Sequence, residues 1–258
     1  MQTEPETWVF LRGLTRESRH WGDFVAQFQQ ALPDSQVIAL DLPGNGQLNH
    51  QSSPLGVQDM VANCRAQLAL RQIKPPFHLL AMSLGAMVAV AWSQAYPQEV
   101  AAQVLINTSL RPFSPFYQRL RPQNYGALLK LLWPGTDSEE TERTILRLTS
   151  NFSSGEVLWH WLEIKQTRPV SRVNALRQLL AAARFCSLRT KPGVSTLVLA
   201  SEQDHLVSKD CSKALAMQWQ CELRLHPGAG HDLPLDDGAW VARQVSEWLD
   251  TVVLEVKN

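Results

Sequence analysis

The sequence has no charge surplus of either sign: 24 Lys and Arg offset 24 Asp and Glu over 258 residues. A chain of zero formal charge offers no overall attraction to nucleic acid or to an anionic membrane surface. Cysteine is scarce as well. Cys64, Cys186, Cys211 and Cys221 show neither metal-ligand spacing nor a disulfide framework, and read as buried, reduced thiols. The N-terminal stretch Met1-Gln2-Thr3-Glu4-Pro5-Glu6 lacks the positive and apolar regions of a secretory leader. Together these features suggest a cytoplasmic protein. Long apolar runs are missing too: the longest, Leu79 to Trp92, is interrupted by Ser83 and too short to cross a bilayer. There is no internal repeat and no low-complexity segment, and the length suits one α/β domain with an insertion.

The most informative stretch is Phe77 to Trp92. Phe77-His78-Leu79-Leu80-Ala81-Met82 reads as a buried strand, and Leu84 onwards, rich in Ala, Met and Leu, as a helix packed on it. Ser83 sits at the junction, with Ala81 and Gly85 two residues away on either side. A strand that turns directly into a helix must bend sharply, so the flanking residues must be small. The bend lifts the serine hydroxyl out of the sheet at a helix N-terminus, which is the mechanics of a nucleophile elbow. A serine that merely caps the helix is the simpler reading; the strand–turn–helix context favours the nucleophile.

Around this stretch strands alternate with helices. Trp8–Leu11, Gln36–Leu40, Phe77–Met82 and Val100–Ile106 read as strands, with helices over Trp21–Leu32 and Val57–Gln72. This rhythm implies a parallel sheet with right-handed crossovers. From Leu110 to about Arg189 no convincing strand occurs, and the patterns predict helices near Gln123–Trp133, Ser138–Ser150, Gly155–Gln166 and Ser171–Phe185. The alternation then resumes with a strand at Ser195–Ala200, a helix at Ser208–Gln218, a strand at Glu222–Leu225 and a helix at Asp237–Val253. The expected architecture is therefore an α/β core over residues 1–109 and 190–258, with a helical cap inserted over residues 110–189.

A serine nucleophile needs a base, and the base needs an orienting carboxylate, in the chain order Ser, acid, His for this kind of elbow. Ser201-Glu202-Gln203-Asp204 follows a late strand, and Gly228-Ala229-Gly230-His231 follows the last one, so Asp204 and His231 are the candidates. His226 ends a strand and reads as structural, Asp232 as loop support, Asp210 as a helix-start residue and Asp41 as a turn former. An oxyanion needs two backbone N–H donors. Leu84, after the nucleophile, supplies one, and Leu14, after Arg12-Gly13 in the loop following the first core strand, supplies the other.

With Phe10-Leu11-Arg12-Gly13, Asp41-Leu42-Pro43-Gly44-Asn45-Gly46, Ala81-Met82-Ser83-Leu84-Gly85, Ser201-Glu202-Gln203-Asp204 and Gly228-Ala229-Gly230-His231 all in order, the chain resembles the α/β-hydrolase superfamily. Within it, the chain is most similar to the small capped carboxylesterases that hydrolyse pimeloyl-carrier-protein methyl esters. The resemblance implies an α/β-hydrolase fold, mostly parallel, and a serine esterase acting on an ester or thioester with no metal and no organic cofactor. It departs from the family at Arg12, where His is usual, and at Ala81 and Ser201, where Gly is usual. The first core strand also starts almost at the N-terminus, so a shorter sheet is expected. A serine at the elbow argues against haloalkane dehalogenases, which use aspartate there. Carbon–carbon bond hydrolases and lyases use the same triad, and a non-catalytic binding protein of the same fold is a further alternative.

Charge is uneven within the neutral total. Residues 110–190 hold twelve basic and six acidic side chains, a net +6. Ordinary solvated helix faces account for this; the sharper expectation is a basic rim for an acidic acyl carrier protein. No nucleic-acid or membrane partner is expected.

Overall fold

The computed structural model describes residues 5–132 and 135–256. Six strands form one sheet: β1 (Glu6–Leu11), β2 (Ser35–Leu40), β3 (Phe77–Met82), β4 (Val100–Ile106), β5 (Ser195–Ser201) and β6 (Glu222–His226). Their order is β2-β1-β3-β4-β5-β6, and every neighbouring pair is parallel. The sheet is thus wholly parallel among the described residues, and β1 lies inside it.

The strand sequences explain this placement. A parallel sheet is covered on both faces, so its strands are apolar on both. Alternate residues divide between two cores. Val9, Leu11, Leu79 and Ala81 pack on one side, with α2 (Val57–Leu70), α3 (Leu84–Ala95) and α9 (Lys209–Trp219). Trp8, Phe10, Leu80 and Met82 pack on the other, against α1 (Phe24–Ala31) and α10 (Leu233–Val256).

Several boundaries differ from the sequence reading. The helix expected over Trp21–Leu32 is a short 3-10 turn, Ser18–Trp21, followed by α1. Gly22, at φ +51°, adopts a left-handed conformation that breaks the continuity. The last helical span, Leu233–Val256, is two helices meeting at a kink at the non-helical Asp237 (φ −151°), so the expected start at Asp237 marks the second helix, and the short first one is absent from the sequence reading. The four cysteines are free; Cys64 and Cys211 are buried, but Cys221 is half-buried and Cys186 exposed, so the expectation of buried thiols fails for those two. Burial pushes the Cys64 thiol up to about 12, consistent with an inert core residue.

Between β4 and β5 no strand occurs among the described residues. The chain instead forms α4 (Phe116–Arg119), α5 (Tyr125–Leu132), α6 (Ser138–Thr149), α7 (Gly155–Thr167) and α8 (Arg172–Arg184). The four-residue α4 escaped the sequence reading because one turn is too short for a periodic pattern. Trp133, the expected end of the first cap helix, lies outside the described residues. A parallel bridge between Arg111 and Cys186 draws together the two ends of this helical segment.

Candidate active site

Ser83 lies between β3 and α3 with φ 55° and ψ −114°, a conformation that L-residues rarely adopt. Two contacts hold it. Its N–H donates to the Ile106 carbonyl at 3.0 Å, tying the bend to the end of β4. Gly85 then brings the start of α3 against the end of β1: a Cβ there would lie 2.3 Å from the Leu11 carbonyl oxygen. The other flank, Ala81, is fully buried in β3, so a methyl group is accommodated where the family carries glycine.

The loop after β1 passes directly beside the serine. A Cβ on Gly13 would lie 3.3 Å from the Ser83 Cβ and 3.8 Å from its Oγ. Leu14 and Leu84, the two expected oxyanion donors, line the same cavity as Ser83. Leu84 opens α3, so its N–H belongs to the unpaired first turn. Thr15, at φ 59°, donates its N–H to Gln178 Oε1 at 2.8 Å, which anchors the loop to α8.

Asp204 and His231 meet as expected. His231 Nδ1 lies 2.7 Å from Asp204 Oδ2, and both side chains are buried. The other carboxylate oxygen, Oδ1, accepts from the Leu206 and Val207 N–H groups at 2.8 and 2.9 Å. A carboxylate accepts only, so His231 Nδ1 carries the proton and Nε2 remains an acceptor. Burial pulls the His231 imidazole down. The charge and hydrogen bond of Asp204, with help from Asp232, outweigh burial and the opposing Arg12, and raise it above the ordinary histidine value.

The competing candidates have structural tasks. His226 Nδ1 accepts from the Gly228 and Ala229 N–H groups at 3.2 and 2.8 Å, shaping the turn before His231. Asp41 accepts from the Ser18 and Gln47 N–H groups at 2.7 and 2.8 Å. Asp210 sits in the first turn of α9. Asp232 supports the loop, but through a partner the sequence did not reveal. Arg12 Nη1 and Nη2 reach Asp232 Oδ1 and Oδ2 at 2.9 and 2.5 Å. The guanidinium also lies 4.8 Å over the Trp21 ring. The arginine in place of the family histidine therefore fastens the loop beside Ser83 to the loop carrying His231.

A second positioning residue was missed. Asn107, just past β4 at φ 45°, donates through Nδ2 to the His231 carbonyl at 2.7 Å and to Ser201 Oγ at 3.0 Å. Its Oδ1 accepts from the Ser201 N–H at 2.9 Å. Serine in place of glycine at 201 thus supplies an acceptor for this amide. Asp236 ties the histidine loop to the helical segment: its Oδ2 accepts from the Gly230 and Asn151 N–H groups at 2.7 and 2.9 Å.

Ser83, His231, Gly13 and Leu84 share a cavity of about 1100 Å³ that extends beneath the helical segment, where Leu128, Leu148 and Leu179 are among its apolar walls. That volume exceeds the ~300–1000 Å³ common for small-molecule pockets. Among the described residues no cluster of His, Cys, Asp or Glu could hold a metal ion.

An elbow serine, a histidine–aspartate pair and a wholly parallel sheet define the class, and the comparisons agree. Residues 8–244 match the alpha/beta hydrolase family, and the chain belongs to it. It is 22% identical over 256 residues to a monoacylglycerol lipase of Homo sapiens, covering 95% of this chain and 75% of that protein. Over 110 residues it is 30% identical to a Bacillus subtilis protein provisionally named 2-succinyl-6-hydroxy-2,4-cyclohexadiene-1-carboxylate synthase, covering 40% of this chain and 37% of that one. A thermophilic esterase from Thermogutta terrifontis shares the fold, with a TM-score of 0.74 and 20% identity over 96% of this chain and 90% of that chain. No helix among the described residues is long and apolar enough to cross a membrane.

Proposed function

We propose that the protein is a serine-dependent carboxylic ester hydrolase that works through an acyl-enzyme. The observation that carries this reading is that the strained Ser83 and the Asp204-paired His231 line one cavity. His231 Nε2 accepts the Ser83 proton as Oγ attacks the substrate carbonyl. The oxyanion is held by the Leu14 and Leu84 N–H groups. Collapse of the tetrahedral intermediate expels the alcohol or thiol, which takes the proton from His231. Water, deprotonated by the same imidazole, then attacks the acyl-enzyme; collapse frees Ser83 and releases the acid.

The resemblance to pimeloyl-carrier-protein methyl esterases extends this reading to an acyl chain delivered by an acidic carrier protein. The excess of basic side chains between residues 110 and 190 supports that extension. The local likeness to the Bacillus subtilis synthase favours a second reading, a lyase step driven by the same triad. Product analysis with a carboxylated cyclohexadiene precursor separates the two.

The test is Ser83→Ala assayed on short and long acyl esters. Because triad members act as a unit, turnover falls by about 10⁴-fold or more while the circular dichroism spectrum is unchanged. Esterase activity near that of the parent protein rejects the reading.

A further inference from the structure

The cavity that holds Ser83 is lined by seven basic and three acidic side chains, and most of this imbalance lies at the open rim. Arg111 and Arg172 are exposed to solvent. The Arg119 guanidinium is committed to the carbonyls of Ala182 and Ala183, at 2.7 and 3.5 Å. In the interior, charges pair one to one, Arg12 with Asp232 and Glu17 with Arg19. One buried cluster does not balance. Glu142, buried in α6, accepts from two cations at once: Arg16 Nη1 at 2.7 Å and Lys165 Nζ at 3.3 Å.

Arg16 is only 8% exposed and lies 4.0 Å over the Trp161 ring. Its Nη2 is buried with no hydrogen-bond partner among the described residues. The neighbouring His20 is held neutral, by burial first and then by Arg16 and Arg12, so it contributes neither a compensating nor an added charge. Two cations share the single Glu142 carboxylate, so their charge is only partly compensated at this largely buried site. A planar guanidinium with an unused Nη2, beside an ammonium, has the geometry and charge for a carboxylate. One excess positive charge matches a monoanion; a phosphate dianion would leave the opposite excess.

We propose that this cavity takes an acyl ester bearing a second, ionised carboxylate remote from the scissile bond, bound by Arg16 and Lys165. The proposal rests on the esterase reading above and adds the substrate class. Arg16 and Lys165 both line the cavity, and Lys165, with about a quarter of its side chain exposed, supplies the second donor beside Arg16 Nη2.

Calorimetric titration of Ser83→Ala with monomethyl esters of dicarboxylic acids, against methyl alkanoates of equal length, tests it. At least one carboxylated ester binds about tenfold more tightly than its neutral counterpart, as for hydrogen bonds to a charged group. Arg16→Gln or Lys165→Met in the same background removes most of that preference. Lys165→Met is the safer variant for folding, since Lys165 is less buried than Arg16. Equal affinities across the series, or a preference that survives both substitutions, overturns the proposal. Hydrolysis of neutral esters by the parent protein keeps the two claims apart. Esters cleaved without carboxylate preference reject the subsite alone. Carboxylated esters bound but never cleaved reject the esterase alone.

Discussion

Arg12 and Asp232, 220 positions apart, form a two-pronged ion pair with side chains only 1% and 3% exposed. Each residue is adjacent to a functional one: Arg12 precedes Gly13 and Leu14, and Asp232 follows His231. The pair therefore sets the distance between the loop beside the nucleophile and the loop carrying the base. Arg12→Met leaves the Asp232 carboxylate buried and unpaired, at a cost of about 3–5 kcal/mol. It also removes a charge that lowers the His231 imidazole, so the acid limb of kcat/KM moves to higher pH. Asp232→Asn moves that limb the other way. Thermal denaturation and pH profiles of both variants check this; profiles that coincide with the parent's contradict it.

The raised His231 imidazole gives opposite trends for activity and stability. Catalysis needs the neutral base, so kcat/KM climbs with pH along a limb centred above 6.5. The stabilisation from the protonated imidazole against Asp204 is fully present below the unfolded-state value of about 6.5 and is lost as pH rises through the raised one. A pH–rate profile and denaturant titrations across the same range measure both. An acid limb at or below 6.5 contradicts the assignment of His231.

Asn107 offers a test of support without contact to substrate. Asn107→Ala leaves the buried His231 carbonyl without its 2.7 Å donor and removes the acceptor of the Ser201 N–H. Each unmade bond costs about 1–3 kcal/mol. Expected are a lower melting temperature and a fall in kcat larger than any rise in KM, measured on a neutral ester. Full activity would show that the histidine loop holds itself in place.

Gly85→Ala separates tight packing from chemistry. The added methyl group would sit 2.3 Å from the Leu11 carbonyl oxygen and 2.7 Å from that of Arg12. Backbone atoms cannot step aside cheaply, so α3 shifts away from β1 and about 3 kcal/mol is lost. Chemical denaturation measures this, and a variant as stable as the parent contradicts it.

The carrier-protein reading predicts a salt effect. Steering between a basic surface and an acidic partner is screened over about 8–10 Å at physiological ionic strength. A carrier-linked ester therefore loses kcat/KM steeply from low to high salt, while a p-nitrophenyl ester does not. Arg143 is already paired with Glu139, so Arg147→Glu is the cleaner charge reversal, and it lowers the carrier-linked rate alone. Equal salt responses of both substrates leave the helical segment as ordinary surface.

The parts of the site legible in the sequence were those written in local spacing. Ser83 stood out because its strand, its turn and its helix are contiguous. Asp204 and His231 stood out because each follows a strand in the required order. The Arg12–Asp232 and Arg16–Glu142–Lys165 contacts were not legible, because they join elements that only the folded chain brings together. Asn107 carried no motif, and its left-handed backbone has no signal beyond a residue type that tolerates it. The division of one expected helix into a 3-10 turn and α1 was hidden because Trp21, Phe24 and Phe28 keep helical spacing across the break at Gly22. Side chains from both pieces fill the same core, so burial preserved the pattern although the helix was interrupted.

The most direct test of the central claim is covalent capture of the nucleophile. The protein is treated with a fluorophosphonate probe at neutral pH, and the adduct is located by peptide mass spectrometry. The account predicts one modified residue, Ser83, with labelling abolished in Ser83→Ala and strongly slowed in His231→Ala. A folded protein that cleaves esters yet takes the probe elsewhere, or not at all, contradicts it.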